Sequence, residues 1–379
     1  MIDDLDQFNR GLRLNIASVS DVHLGHPTTP TDFIIRNLHR YVFPDDKDTR
    51  DLDLIFIDGD FFDSLQDPAS NNSIAIRQYV VSLLYFCKKH DIPLRILRGT
   101  KLHDWDQPYI FKEENDNHSI GCDLLYVDRI HIEYIERYGI HVLYVPDEAN
   151  STAAQTWEEV QELMKNLGIT KVDYASMHGG FPHQLPEIES IKHILHNAED
   201  YLSIVRHYIF IGHIHQHSVY DRIIANGSTD RLVHGDEGAK GHVRVKQGRV
   251  KFIENIGAMR YKTLDVEDLS ADMVIEHVID YLNNDETRGN IRLRCSKQSV
   301  AYGMEKRLSK MFPFIRFSYL NTQKKQKTKE VLQTTTKIQL PILTRENLEA
   351  EVLKGLKEEH PETYELAAKL LSGILHGGK

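Results

Sequence analysis

The chain has 379 residues, 41% hydrophobic and 27% charged, with a formal net charge of −10. That length allows two or three domains with a sizeable core, and the balance excludes disordered and collagen-like classes. No apolar run nears the roughly 20 residues of a membrane span, the acidic start Met1-Ile2-Asp3-Asp4 is unlike a signal peptide, and Cys87, Cys122 and Cys295 form neither a disulfide framework nor a CxxC zinc site. A cytoplasmic protein away from membranes is expected.

In chain order, the pattern predicts strands over Leu12–Val19, Leu52–Ile57, Leu94–Leu97, His141–Val145, Val172–Met177 and Tyr208–Ile211. Helix-period segments lie between several of them, at Asp32–Val42, Ile74–His90, Thr152–Leu167 and Glu187–Val205, with Thr152 a cap and Gly168 a stop. Such alternation predicts an α/β fold, a two-sheet β-sandwich flanked by helices, over residues 1–262. Its end, Leu232–Ile253, reads as short hairpins turning at Gly241 and Gly248. A small α+β domain at 263–320 follows: helix Ser270–Leu282, strand Asn290–Cys295, helix Ser299–Met311 and strand Phe314–Leu320. A polar linker at 321–343 precedes a helical tail at 344–379, whose apolar positions Leu348, Val352, Leu353 and Leu356 need a surface to dock on, in a partner or on the chain's own body.

Charge is unevenly distributed. Residues 288–329 carry twelve Lys/Arg against one acid, Glu305, a net of +11 that leaves −21 for the remainder. Arg288, Arg292, Arg294, Lys306, Arg307 and Lys310 are the candidate phosphate-tracking residues, because apolar residues alternate with them as in folded structure. A solvated linker describes 324–329 better.

Five short motifs each follow a β-like run: Asp21-Val22-His23, Gly59-Asp60-Phe61-Phe62-Asp63, His103-Asp104, His178 and Gly212-His213-Ile214-His215. With 21 histidines in the chain, a lone His178 would read as an ordinary surface or hydrogen-bonded residue; within the ordered set it reads as a ligand. Together these residues supply carboxylates and imidazoles for two metal ions. A phosphodiester resists hydrolysis because its oxygens are anionic and its leaving group is poor, and two cations about 3.5–4 Å apart answer both difficulties. Asp60, at the end of Leu54-Ile55-Phe56-Ile57, suits the bridging position. Asp21 and His23 face one way if extended, and His213 and His215 can each reach a different ion. Mixed Asp/His ligation without thiolate favours Mn, Fe or Zn, with Mn2+ expected first.

The order DxH, GDxxD, HD, H, GHxH resembles the calcineurin-like metallophosphoesterase superfamily. Ser20-Asp21-Val22-His23-Leu24-Gly25 and Gly59-Asp60-Phe61-Phe62-Asp63 are similar to its SbcD branch, the nuclease subunits of recombination–repair complexes. Asn226-Gly227-Ser228 with Lys240-Gly241 resembles that branch's closing segment, and the small basic domain stands where its DNA-capping domain would be. The resemblance implies the metallophosphoesterase fold, with Asp21, His23, Asp60 and His215 on one ion and Asp60, His178 and His213 on the other. By the same likeness His103 contacts the scissile phosphate, Asp104 orients it, and Asp58 and Asp63 serve behind the ligands. It further implies manganese-dependent exonuclease and endonuclease activity on DNA, a homodimer, and an SbcC-type ATPase partner held by the C-terminal helices. One motif departs. The family's Gly-Asn-His-Asp/Glu is here Arg98-Gly99-Thr100-Lys101-Leu102-His103-Asp104, without the asparagine and with two residues inserted before His103. Either Thr100 or water replaces the amide, or His103 becomes a ligand, or the second site is weak; the last two together are the expectation here. The competing readings are a phosphatase acting on small phosphoesters and a DNA-binding scaffold that has lost the second ion.

Overall fold

Strands apolar on both faces must be covered on both, and that requirement sets the layering. In the computed structural model, which describes residues 9–184, 194–282 and 288–322, fifteen strands form three sheets. They are β1 (Asn15–Val19), β2 (Leu54–Asp58), β3 (Leu94–Leu97), β4 (Leu124–Val127), β5 (His131–Ile135), β6 (Ile140–Val145), β7 (Val172–His178), β8 (Val205–Gly212), β9 (Ser218–Tyr220), β10 (Ile223–Ala225), β11 (Gly241–Lys246), β12 (Arg249–Glu254), β13 (Arg260–Asp265), β14 (Gly289–Cys295) and β15 (Ile315–Asn321). The two large sheets run β12-β11-β1-β2-β3-β4 and β5-β6-β7-β8-β10-β9, and the small one β13-β14-β15.

Alternate residues of each central strand point to opposite faces. Ile16, Leu54 and Phe56 from the first sheet meet Val142, Tyr144, Tyr174 and Phe210 from the second in a common inner core. The intervening residues face outward: Ala17, Ile55 and Ile57 pack under helices Thr31–Asn37 and Asn71–His90, and Leu143, Ala175 and Ile209 under helix Ala153–Leu167. The result is a two-sheet sandwich flanked by helices. β1, β2 and β3 are mutually parallel, as are β6, β7 and β8, so their C-terminal ends gather at one rim. Helix Ala153–Leu167 has the expected ends: Thr152 accepts from the Gln155 amide, and Gly168 turns left-handed at φ 67.

Several expected boundaries differ. Helix Ala198–Ile204 replaces the C-terminal half of the longer one expected over 187–205, because β-branched Val205 already opens β8; residues 185–193 lie outside those described. Gly248 turns the β11–β12 hairpin at φ 72, but Gly241 begins β11 instead of making a turn, and no strand occupies 232–240. The helix expected from Ser299 starts at Glu305, after Gly303 interrupts it at φ 98. β13 was not anticipated and crosses the expected boundary at 262/263. It pairs in parallel with β14 across helix Ala271–Leu282, a βαβ unit with its own core of Leu264, Val274, Val278, Leu293 and Leu308. Compactness separates 1–320 from 321–379. Apart from Asn321 and Thr322, the expected linker at 321–343 and tail at 344–379 lie outside the described residues. Among those described, no helix is long and apolar enough to cross a membrane.

Candidate metal centre

The candidate ligands sit just past the gathered strand ends. β1 stops at Val19, and Asp21 and His23 follow in left-handed backbone (φ 51 and 53), as do Asp60 (φ 49) and His213 (φ 94). Such angles disfavour residues with a Cβ and collect at functional sites. The extended geometry expected for Asp21 and His23 is thus replaced by a tight loop. It is stitched to the next motif, with the amides of Asp21, Val22 and His23 donating to the Gly59 and Asp60 carbonyls at 3.1, 2.9 and 3.1 Å. At Gly212 a Cβ would lie 2.3 Å from the Asp58 carbonyl oxygen and 2.7 Å from His178 Nδ1, so only glycine lets these strand ends close.

Three overlapping groups of side chains result: Asp21, His23 and His215; His23, Asp60 and His103; and Asp60, His178 and His213. All six expected ligands and His103 are therefore brought together, with His213 and His215 on different sides. Asp60 Oδ2 lies 3.3 Å from His178 Nε2 and 3.9 Å from His23 Nε2, between the outer groups. Ring orientation is fixed from behind. His178 Nδ1 donates to the Asp58 carbonyl and His103 Nδ1 to the Asp63 carbonyl, both at 2.6 Å, while Asp63 Oδ1 faces His23 Nδ1 at 3.2 Å. The Nε2 atoms of His178 and His103 are thereby left to face inward as acceptors.

This donor set fits divalent cations. His23 Nε2 and His215 Nε2 converge to 3.1 Å, and His178 Nε2 meets the Asp60 carboxylate, so acceptors face acceptors unless a cation or a proton lies between. Burial opposes the proton on His215, pulling its pKa down to about 4, and burial with the neighbouring His178 charge lowers His213 as well. Burial also works against protonating His178 and His23, but the Asp60 carboxylate for the first and the Asp63 and Asp60 carboxylates for the second outweigh it and raise both. Asp60 itself is held low: burial alone would raise it, and His178 and His23 prevail. Nitrogen and carboxylate donors in this mixture suit Mn, Fe or Zn.

Two assignments change. Asp104 does not touch the His103 ring; its wholly buried carboxylate accepts from the backbone amides of Gly99, Phe62 and Asp60 at 2.7, 2.9 and 3.1 Å, joining the two loops that carry Asp60 and His103. Burial, then the nearby Asp60 charge, pushes it up to about 7. Thr100 stands at the edge of the group of Asp60, His178 and His213, its Oγ1 3.2 Å from Asp60 Oδ2, 3.3 Å from His213 Nδ1 and 3.4 Å from His178 Nε2. Two of the three alternatives for the missing asparagine thus have a counterpart in the geometry, a hydroxyl beside Asp60, His178 and His213, and His103 grouped with His23 and Asp60. Asp58 holds Ser18 and Asn226 at 2.5 and 2.7 Å and also accepts from Ser176. The segment Asn226-Gly227-Ser228 with Lys240 braces the His215 carbonyl, which accepts from the Ser228 amide (3.1 Å) and Lys240 Nζ (2.6 Å).

Asp147 was missed. It lies just past β6, its Oδ1 3.6 Å from where a Gly179 Cβ would be, and its charge acts on His178 and His213. The signal was the same as for the others, an acid right after an apolar strand.

The basic residues do not form one patch. Arg292 and Arg294 leave β14 on the face opposite buried Ile291, Leu293 and Cys295, which pack under the helices, whereas Lys306, Arg307 and Lys310 are exposed on helix Glu305–Met311. Three of the six face acids: Arg288 with Asp32 (3.2 Å), Arg294 with Asp265 (2.8 Å) and Arg307 with Asp272 (3.9 Å).

No family model matches the chain, and no curated protein matches it. Among solved structures, the crystal structure of TT1561 of Thermus thermophilus aligns over 64% of this chain and 99% of its own at 10% identity, with a TM-score of 0.37. A second solved structure aligns over 63% and 98% at 9% identity and a TM-score of 0.36. Overlaps that loose carry no argument about what this chain does.

Proposed function

We propose that the chain is a two-metal phosphodiesterase of the calcineurin-like metallophosphoesterase superfamily, and within it a DNA nuclease of the SbcD type. The observation that carries the first part is the position of Asp60, whose Oδ2 lies between histidines of both outer groups. Asp21, His23, Asp60 and His215 would hold one divalent ion, with His103 beside them, and Asp60, His178 and His213 the other, with Thr100 at its edge. When bound, such a pair supplies Lewis-acid polarisation of the phosphoryl group and acidification of a water. The chain's own part is positional. Asp58 and Asp63 fix the rings, Asp104 fixes the loop of Asp60, and His103 is oriented so that Nε2 faces a phosphoester seated on the centre. The DNA part rests on the SbcD-like motifs and the positive segment at 288–329. A homodimer and an SbcC-type ATPase partner belong to the same reading.

Pairing of Arg288, Arg294 and Arg307 with acids favours one alternative, a phosphatase for small phosphoesters that needs no basic surface. One assay separates them. Purified protein with Mn2+ should cleave linear duplex DNA, and Asp60→Ala should abolish cleavage. The nuclease reading fails if duplex and single-stranded DNA stay intact while simple phosphomonoesters are hydrolysed.

A further inference from the structure

β11 and β12 form the edge of the first sheet, and their antiparallel register sets Arg244 opposite Lys251, Lys246 opposite Arg249 and His242 opposite Ile253. Residues directly opposite share a face, so four cations stand there as two adjacent like-charge pairs, an arrangement that works against the ladder. The segment around Tyr41 and Thr49 walls the other side, leaving a half-open cavity of about 310 Å³ that these residues line. It shares no residue with the metal centre, and it lies toward Asn15, the opposite end of β1 from Asp21.

Four cations meet two carboxylates in the lining, Asp46, which accepts from the Thr49 amide at 2.9 Å, and Asp48. Arg244 Nη2 donates to the Val42 carbonyl (2.8 Å) and Thr49 Oγ1 (3.3 Å), and Nε to His242 Nε2 (2.8 Å). Nη1 is buried without a hydrogen-bond partner. Since His242 Nε2 accepts, its proton sits on Nδ1, which is likewise buried and unpartnered. Among the described residues no carboxylate forms an ion pair with Arg244. Lys246 reaches Asp48 at 3.2 Å, on the surface. Buried N–H groups without protein acceptors are uncommon in folded proteins, and a water, an ion or a ligand oxygen can serve as their partner.

We propose that this cavity binds a phosphate group, presented by a polynucleotide strand or by a free nucleotide or inorganic phosphate. A tetrahedral dianion offers several oxygens to a guanidinium fork and flanking cations at once; a single carboxylate offers two. The site stands independently of the metal centre's function.

The test uses the full chain and the double variant R249Q/K251Q, whose positions are exposed and leave the core untouched. A second double variant, K112Q/K165Q, removes two exposed cations elsewhere as the control for bulk charge. Melting temperature is followed in inorganic phosphate against chloride at equal ionic strength, and binding of a 5′-phosphorylated single-stranded oligonucleotide across salt concentrations. Stabilisation by phosphate in the wild type and control, lost in R249Q/K251Q, supports the site with a free phosphate as its source. Oligonucleotide binding at least fivefold weaker in R249Q/K251Q alone, with a salt slope flatter by about 1.4, supports it with a strand as the source. The proposal is overturned if R249Q/K251Q matches the wild type in both arms, or if the control variant loses as much.

Discussion

Replacing Gly99 by alanine is the smallest change that should dislodge the Asp60 carboxylate, which lies between the two outer groups. The added Cβ would stand 2.1 Å from the Asp60 amide nitrogen and 2.3 Å from its Oδ1, where ordinary contact begins at 3.4 Å, so one loop must retreat by about 1.3 Å. Neither loop is free to do so cheaply. The Gly99 and Asp60 amides both donate to the buried Asp104 carboxylate, and Thr100 N donates to Asp60 Oδ1 at 2.6 Å. Overpacking of this kind costs roughly 1–3 kcal/mol of stability. The larger effect is on the site, because a displacement of about 1 Å at a catalytic group can reduce rate by about 100-fold. Gly168→Ala is the control: it has open space around it but a left-handed φ of 67, so it should cost about 1–2 kcal/mol while leaving the centre alone. Urea denaturation and Mn2+ titration of both variants give the comparison. Similar destabilisation with Mn2+ binding weakened only in Gly99→Ala is expected. Wild-type Mn2+ affinity in Gly99→Ala would refute the claim that this packing positions Asp60.

Thr100→Val keeps the shape and removes the hydroxyl among Asp60, His178 and His213, so the weaker of two Mn2+ binding steps should fall about tenfold with the tighter unchanged; calorimetric titration resolves the steps, and unchanged binding would exclude Thr100 from the site. Asp230, buried, accepts from Asn37 Nδ2 and the Met259 amide, both at 2.6 Å, and burial pushes its pKa up to about 6 from 3.8. A raised folded pKa means stability that is present below pH 3.8 and lost as pH rises through about 6. The stability advantage of wild type over Asp230→Asn, measured in urea, should therefore shrink by about 2 kcal/mol between pH 4 and pH 7. An advantage that grows with pH would show that the carboxylate is favoured in its ionised form.

The central strands were legible because both their faces are buried and the sequence runs continuously apolar, as in Leu54-Ile55-Phe56-Ile57. Strands β5, β9 and β13 were not, since each carries exposed or half-buried polar residues such as Glu133, Ser218 and Lys262 at alternate positions and sits in or near a sheet edge, and β4 and β10 escaped because runs of four and three residues are too short to show a period. The ligands were legible as residue types after strand ends, a signal that survives even though the backbone there is left-handed and not extended. The orienting role for Asp104 came from the family likeness alone, whereas its short helical turn aims the carboxylate at backbone amides from another loop. The basic segment read as one surface because one-dimensional charge counting ignores the strand alternation that sends Arg292 and Arg294 away from the helix bearing Lys306.

The most direct measurement is anomalous diffraction from crystals soaked in Mn2+, for wild type and Asp60→Ala. Two peaks about 3.5–4 Å apart, flanking Asp60 Oδ2, with Asp21, His23 and His215 around one and His178 and His213 around the other, are expected in the wild type, and at most one in the variant. No peak at these residues, or two undiminished peaks in Asp60→Ala, would contradict the account.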